Sequence, residues 1–330
     1  MPTLRQAIAV EYLRDAGDVK VFKGEVDPDW CIGAVPNGGY ILALALQACI
    51  ERQSTMSHRD PIHVTAHYLR TTAVAPFEVH IRILRSGKGF TNVLADFVQA
   101  DQLKFIVHAI FGVMEPEEAT PGHDGLKAAM APPSKYARHL PLHHHPSNAT
   151  ELPMSTAFGF HQHTKWTDEP ELREENGTRT ARVGGGGVQW GTWFELTGKD
   201  ERITASSLAF LVDMFVNTPM IMSGVDNVGL PHSWFPTMML AIEFKYPIPK
   251  TGEYASRTVG LYSKGNYFNE PSGHHDIYVE VWTAPANIGE GSIEDGWRDK
   301  QRCLATATQM ALTVPFEVNA RKAARASSKL

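Results

Sequence analysis

Two kinds of apolar pattern alternate along the chain, and they recur in the same order. Residues 41–50, ILALALQACI, follow the glycine pair of PNGGY and are apolar on nearly every side. Such a run predicts a helix enclosed by other elements rather than one laid on a surface. Then IHVTAHYLR, FEVHIRILRSG, TNVLADFVQAD and LKFIVHAIFGV follow between residues 62 and 113, alternating apolar and polar positions between short turns. Period-two alternation in segments of this length predicts four strands. The second pass starts at SSLAFLVDMFVNTPMIM (206–222), which predicts one helix. It continues through TMMLAIEFKY, ASRTVGLYSKG, HDIYVEVWTA and CLATATQMALTV, again four strands. Tyr68-Leu69-Arg70 matches Phe244-Lys245-Tyr246, and the strand-ending Gly87 matches Gly265; the two spacings, 176 and 178 residues, agree to within two. A repeat this long is a duplicated domain, not a solenoid unit.

Each copy predicts an antiparallel sheet wrapped around one buried helix, an α+β arrangement. Pairing the two sheets edge to edge would cover one exposed edge strand in each. The expected units are residues 1–115 for the first copy, 116–187 for linker and loops, 188–318 for the second copy and 319–330 for a flexible tail. Proline, histidine and glycine dominate the central stretch, which is why it reads as linker. VQWGTWFEL (188–196) predicts a strand joining the second sheet, and PANIGEGSIEDGWRDKQ (285–301) a surface loop. MPTLRQAIAVEYLRD, charged too early for a secretory signal, predicts a short amphipathic helix.

Composition narrows the function. Of 330 residues 43% are hydrophobic and 20% charged, which is ordinary for a globular chain, and the net charge of -5 argues against a general nucleic-acid binder. The apolar run from Tyr40 to Ala45 is too short to span a bilayer. Cys31, Cys49 and Cys303 are too sparse for a disulfide framework or a zinc site. The sequons at Asn148 and Asn176 read as chance matches in the absence of a secretory signal. His143, His144 and His145 read as a solvated loop, because adjacent residues rarely face one metal. The terminal Ser328-Lys329-Leu330 has the form of a peroxisomal address read by an import receptor, and peroxisomal localisation is the expectation it raises.

Several segments then point to one family. WCIGAVPNGGYILALALQAC resembles the first-repeat signature of type II acyl-CoA thioesterases, and IHVTAHYLR resembles that family's first-strand pattern, with Tyr68 and Thr71 where Phe and Pro are common. SLAFLVDMF, WFPTMMLAIEF and LATATQMAL resemble the second repeat in order and spacing. The resemblance implies a double hotdog, two antiparallel sheets each around a central helix and paired side by side. It implies a catalytic trio of Asp, Ser or Thr, and Gln, which by motif match falls on Asp213, Thr237 and Gln309. It also implies an acyl-CoA substrate, hydrolysis to free acid and CoA, no metal or redox cofactor, and association of copies through their sheets into a homo-oligomer.

Each of these positions also has a plainer reading. Asp213 lies in a strongly apolar helical run, where burial would raise its pKa toward the range useful for a base; it could equally bond a loop amide. Gln309 shares a strand face with Cys303, Ala305, Ala307 and Ala311, a small face that leaves room for a substrate beside one amide. A solvent-satisfied edge glutamine is the commoner fate of that residue type. Thr237 could hold the same water, or simply start a strand with a local backbone bond. The backbone N–H groups of Asn37, Gly38 and Gly39 at the first helix start suit an oxyanion, or form only a turn and cap; the resemblance to paired hotdogs implies that the helix start of one half faces the acid of the other, which sets Gly38 and Gly39 against Asp213. His63 and His67 read as structural, Trp30 and Trp234 as packing beside the helices, and Arg70, Lys264 and Arg302 as candidate partners of the CoA phosphates. Enoyl-CoA hydration, the rival hotdog chemistry, resembles a pattern of Asp and His five apart; here Thr218 stands in the second place. A non-hydrolytic thioester-binding role and thioester hydrolysis in secondary metabolism are also compatible with these residues.

Overall fold

The computed structural model describes residues 2–114, 134–178, 183–226, 229–249, 252–269 and 273–327. Its main strands are β1 (Glu11–Ala16), β2 (Val19–Glu25), β3 (Asp60–Tyr68), β4 (Pro76–Ser86), β5 (Thr91–Gln99), β6 (Gln102–Gly112), β7 (Thr164–Thr167), β8 (Val188–Leu196), β9 (Thr237–Phe244), β10 (Thr258–Gly265), β11 (His274–Thr283) and β12 (Cys303–Leu312). The helices that matter here are α1 (Gly38–Gln53), α2 (Ala205–Leu211), α3 (Thr218–Asp226) and α4 (Glu317–Ser327). Among the described residues no helix is long and apolar enough to cross a membrane.

The strands form one antiparallel sheet in the order β1-β2-β4-β5-β6-β3-β9-β12-β11-β10-β8-β7, with Glu151–Leu152 added at the far edge. The order is the same read outward from the β3–β9 seam in either direction, as a duplicated domain requires. Val64 pairs with Ile242 and Ala66 with Leu240 across that seam. Edge-to-edge pairing thus removes a free edge from each half, and the resulting architecture is the double hotdog.

Alternation assigns the two faces. Phe194, Leu261, Val281, Ala305 and Ala307 point inward to the helices, and Trp193, Tyr262 and Trp282 point outward to a second, smaller apolar layer. Helix α1 is buried along most of its length, and Asn37 caps it by accepting the Tyr40 N–H at 2.8 Å. Helix α2 starts with a capping box between Thr204 and Ser207. Trp30 is fully buried and meets Tyr40 of α1 and Phe210 of α2, as expected of a residue beside both helices.

Four expectations need correction. The N-terminal segment is a single helical turn, Leu4–Ala7, followed by β1 and β2; β1 is solvent-exposed throughout, so no buried face marks it in the sequence. The stretch 116–187 is not all linker: Glu151–Leu152 and β7 extend the sheet beside β8, and Pro170–Glu175 is a short helix. The run 206–222 is two helices, with a break at residues 212–217; the second begins at Thr218 with Pro219 in its first turn, where no backbone N–H is needed. The tail is not flexible from 319 onward: α4 docks through Asn319, which is buried, accepts the Ala34 N–H at 3.1 Å and donates to the Ile32 carbonyl at 3.1 Å. Ser328-Lys329-Leu330 lies outside the described residues.

Candidate active site

The break between α2 and α3 puts Asp213 just past a helix end, beside the start of α1 from the other half. Its Oδ2 accepts the Gly39 N–H at 2.7 Å, and its Oδ1 accepts the Gln309 Nε2 at 2.8 Å. Gln309 Nε2 also donates to Thr237 Oγ1 at 2.6 Å. The three residues come from a helix end, a strand start and the last strand, yet they form one connected group. Gln309 reaches it because Ala305, Ala307, Gln309 and Ala311 face inward from β12 as alternation predicts, while Thr308 and Met310 face solvent; Cys303, expected on the same face, instead packs on the outer layer, because the register shifts where it pairs with Trp282.

The electrostatics follow from the surroundings. Asp213 keeps only limited solvent access, and burial pushes its carboxyl from 3.8 up to about 6; the bonds from Gly39, Gln309 and Asn37 partly oppose that rise. A carboxylate with a pKa near neutrality is matched to proton transfer at neutral pH. Tyr68 lies close by, its hydroxyl donating to the Gly38 carbonyl at 2.8 Å, and burial holds its phenol well above the ordinary range.

Glycine is required at both positions of the helix start. A Cβ on Gly39 would lie 2.5 Å from the Asp213 Cβ and close against the Ala209 carbonyl. A Cβ on Gly38 would lie 2.9 Å from Thr237 Oγ1 and 3.3 Å from Asp213 Oδ2. The absence of side chains here lets the two halves approach closely enough for a backbone N–H to reach the acid.

The oxyanion expectation changes in detail. The Asn37 N–H donates to the Trp30 carbonyl at 3.1 Å, and the Gly39 N–H is spent on Asp213. Among the described residues the Gly38 N–H is the one of the three with no acceptor, and the Gly38 Cα faces Thr237 and Asp213 where a side chain would stand. Sequence reasoning does not find Tyr68 as a neighbour of this group, since its place in the strand pattern gives no hint of the contact. Arg70 donates to the Leu103 carbonyl, and Arg302 to the carbonyls of Asp299 and Gln301; neither bonds the Asp213 group. His63 bonds Thr65 at 2.7 Å on its own strand, in keeping with a structural role.

The duplicated frame does not duplicate the site. Val64 pairs with Ala109 on the N-terminal side as Leu240 pairs with Gln309 on the other, so Ala109 occupies the place of the glutamine. Pro61 occupies the place of Thr237, and both halves carry a register shift just there. The N-terminal half therefore carries Ala109 and Pro61 where the C-terminal half carries Gln309 and Thr237.

Comparison with known proteins places the chain. The model of the acyl-CoA thioesterase N-terminal domain matches residues 26–112, and that of the acyl-CoA thioesterase C-terminal domain matches residues 139–284. The second match includes Asp213 and Thr237 and stops short of Gln309. Among solved structures, a hot dog fold protein from Alicyclobacillus acidocaldarius is similar with a TM-score of 0.66, 15% identity and coverage of 94% of this chain and 97% of that one. An acyl-CoA thioesterase II from Mycobacterium marinum is similar with a TM-score of 0.61, 13% identity and coverage of 94% and 98%. A ustilagic acid biosynthesis cluster protein, orf2, from Mycosarcoma maydis is 29% identical over 86 residues, 25% of this chain and 22% of that protein. An uncharacterised protein from Mycobacterium bovis is 28% identical over 113 residues, 33% of this chain and 38% of that protein. The chain thus aligns with well under half the length of these two relatives. On the two domain matches and the double-hotdog architecture, the chain belongs to the acyl-CoA thioesterase family, whose general chemistry is thioester hydrolysis.

Proposed function

We propose that the chain hydrolyses acyl-CoA thioesters with a water held between Asp213, Gln309 and Thr237. The observation that carries this reading is the way the Gln309 amide is used. Its nitrogen serves Asp213 and Thr237, while its Oε1 is buried without a hydrogen-bond partner. An acceptor left open next to a carboxylate of raised pKa is a place for a water to donate. The Thr237 hydroxyl proton can be given to the same water.

In the proposed reaction Asp213 takes a proton from that water as its oxygen attacks the acyl carbonyl. The oxyanion forms near the free Gly38 N–H at the start of α1, where the dipole favours negative charge. Collapse of the tetrahedral intermediate breaks the carbon–sulfur bond. The CoA thiolate leaves and takes up the proton held by Asp213, and the carboxylic acid is released. No group outside the chain is required beyond substrate and water.

Purified protein incubated with a panel of acyl-CoAs and a thiol-detecting reagent tests this. Thiol release that disappears in Asp213→Asn supports hydrolysis; saturable acyl-CoA binding with no thiol release supports a non-hydrolytic role. The terminal Ser-Lys-Leu supports peroxisomal delivery through the import receptor as part of the same proposal. A fluorescent fusion that stays cytosolic in a eukaryotic cell while its tripeptide is free would remove that part. The short likeness to a biosynthesis-cluster protein favours, as a second reading, the same hydrolysis serving secondary metabolism. An unusual or branched acyl-CoA preferred over straight-chain ones in the panel would support it.

A further inference from the structure

A second group of ionisable side chains meets on the opposite face of the sheet from Asp213. There the outer surface of β8 and β10 is covered by the segment from Leu140 to His145 and by the short helix Pro170–Glu175. Leu142 and Leu172 occupy the space left by Gly191, whose absent Cβ would lie 2.6 and 2.5 Å from them. Trp193 Nε1 donates to the His144 carbonyl at 2.9 Å and fixes that backbone to the sheet. His144 Nδ1 then lies 3.5 Å from the Glu169 Oε2 and 3.4 Å from the Glu171 Oε2. All three ligand atoms lie within 4.8 Å of one another.

The group is short of positive charge. Glu169 is buried, and its carboxylate is fixed by the N–H groups of His143 and His144 at 3.1 and 3.2 Å. His144 Nδ1 and Glu171 Oε2 are shielded from solvent and have no hydrogen-bond partner. Among the described residues neither carboxylate pairs with a lysine or arginine; His144 is the one ion-pair partner of each. Two carboxylates aimed at one shielded point are costly unless a cation joins them. A tetrahedral ion with bonds of roughly 2.1 Å has ligand–ligand edges of about 3.4 Å, and the two imidazole–carboxylate distances, 3.4 and 3.5 Å, match that edge.

We propose that His144, Glu169 and Glu171 form a structural site for a divalent transition cation of the zinc type, which clamps the Leu140–His145 segment to the Pro170–Glu175 helix. One imidazole and two carboxylates suit zinc or cobalt, whereas calcium takes oxygen ligands alone. The side chains of His144 and Glu171 are 39% and 41% exposed overall, although the atoms that face the ion are shielded. Only one residue of the histidine tract takes part: His143 is exposed, and His145 is buried edge-on against Trp297. The tract is therefore not the solvated loop its spacing suggests, since His145 is buried and the His144 backbone is fixed to the sheet, and both carboxylates come from a stretch whose composition reads as linker.

The test uses the full-length protein, dialysed against chelator and titrated with Zn2+ by calorimetry and with Co2+ by visible absorption. The expected result is one ion per chain, a raised melting temperature and a tetrahedral cobalt spectrum. Glu171→Gln, at a half-exposed position, should fold normally and bind Zn2+ at least about tenfold more weakly, since loss of even an outer partner costs about 10–100-fold. Thiol release from acyl-CoA should be equal in stripped and loaded protein. Absence of saturable Zn2+ binding would overturn the site and leave a charged-histidine bridge in its place. Zn2+ affinity unchanged in Glu171→Gln would assign the ion to surface histidines instead. Activity lost on stripping would overturn the structural role.

Discussion

Asp213→Asn should cut activity sharply and make the protein more stable. Holding the carboxyl at about 6 instead of 3.8 disfavours the charged form in the folded state. At about 1.4 kcal/mol per pKa unit, the charged side chain costs up to about 3 kcal/mol of folding free energy at neutral pH, and residual solvent access lowers that to about 1–3 kcal/mol. The amide removes the cost while leaving one Gln309 amide atom unpartnered, as in the wild type. Its oxygen can keep the Gly39 N–H, and its nitrogen can donate to a rotated Gln309, whose oxygen also accepts from Thr237. For a chain of this size each kcal/mol moves the melting temperature by about 2 °C, so the variant should melt about 2–6 °C higher at pH 8. The sign is specific. The folded-state pKa is raised, so the wild type loses this stability as pH climbs from about 4 through about 6, and the variant does not. The gap should be absent below pH 4, open across that window and stay flat above it. Thiol release at pH 8 should fall by about 10²–10⁴-fold, the usual worth of a general base. Calorimetric melts at several pH values beside the thiol assay measure both. A variant that melts lower at pH 8, or a gap that ignores pH, would refute the buried-base reasoning.

Wild-type kcat/KM should rise through a pKa near 6 and level off, because Asp213 must be ionised to accept a proton; a pH–rate profile checks this. Gly39→Ala should cost about 1–3 kcal/mol or more in denaturant melts, since its Cβ would meet the Asp213 Cβ and the Ala209 carbonyl, which sit on packed backbone. Thr237→Val should leave stability within about 1 kcal/mol, because Gln309 keeps Asp213 as its acceptor, yet lower kcat by at least about tenfold through loss of the hydroxyl. Asn319→Ala should cost about 1–3 kcal/mol by stranding the Ala34 N–H and the Ile32 carbonyl, and limited proteolysis should then release α4 first.

The parts of this fold legible in the sequence are those where one face of an element is buried. Strands such as TNVLADFVQ alternate cleanly because one face packs on the helices, and the repeat carries that pattern to the second half. Strand β1 has no buried face, and β7 has only four residues, so neither leaves a periodic signal. The break before α3 hides in a continuous apolar run, although Pro219 marks it. For the site, residue type and order place Asp213, Thr237 and Gln309, and the alternation of β12 orients the glutamine. The pairing of Gly39 with Asp213 is anticipated by the family resemblance alone; it depends on how two helices from different halves cross, which no local pattern encodes. Nor does any local pattern encode Asn319 on the Ile32–Ala34 turn or the two glutamates that face His144.

The central claim is that Asp213 acts on a water and not on the substrate directly. A single turnover of acyl-CoA in ¹⁸O-labelled water, with mass analysis of the acid and of the peptide containing Asp213, tests it. One labelled oxygen is expected in the released acid and none in the protein. Unlabelled acid with label in the Asp213 carboxyl, or no acid at all, would contradict it.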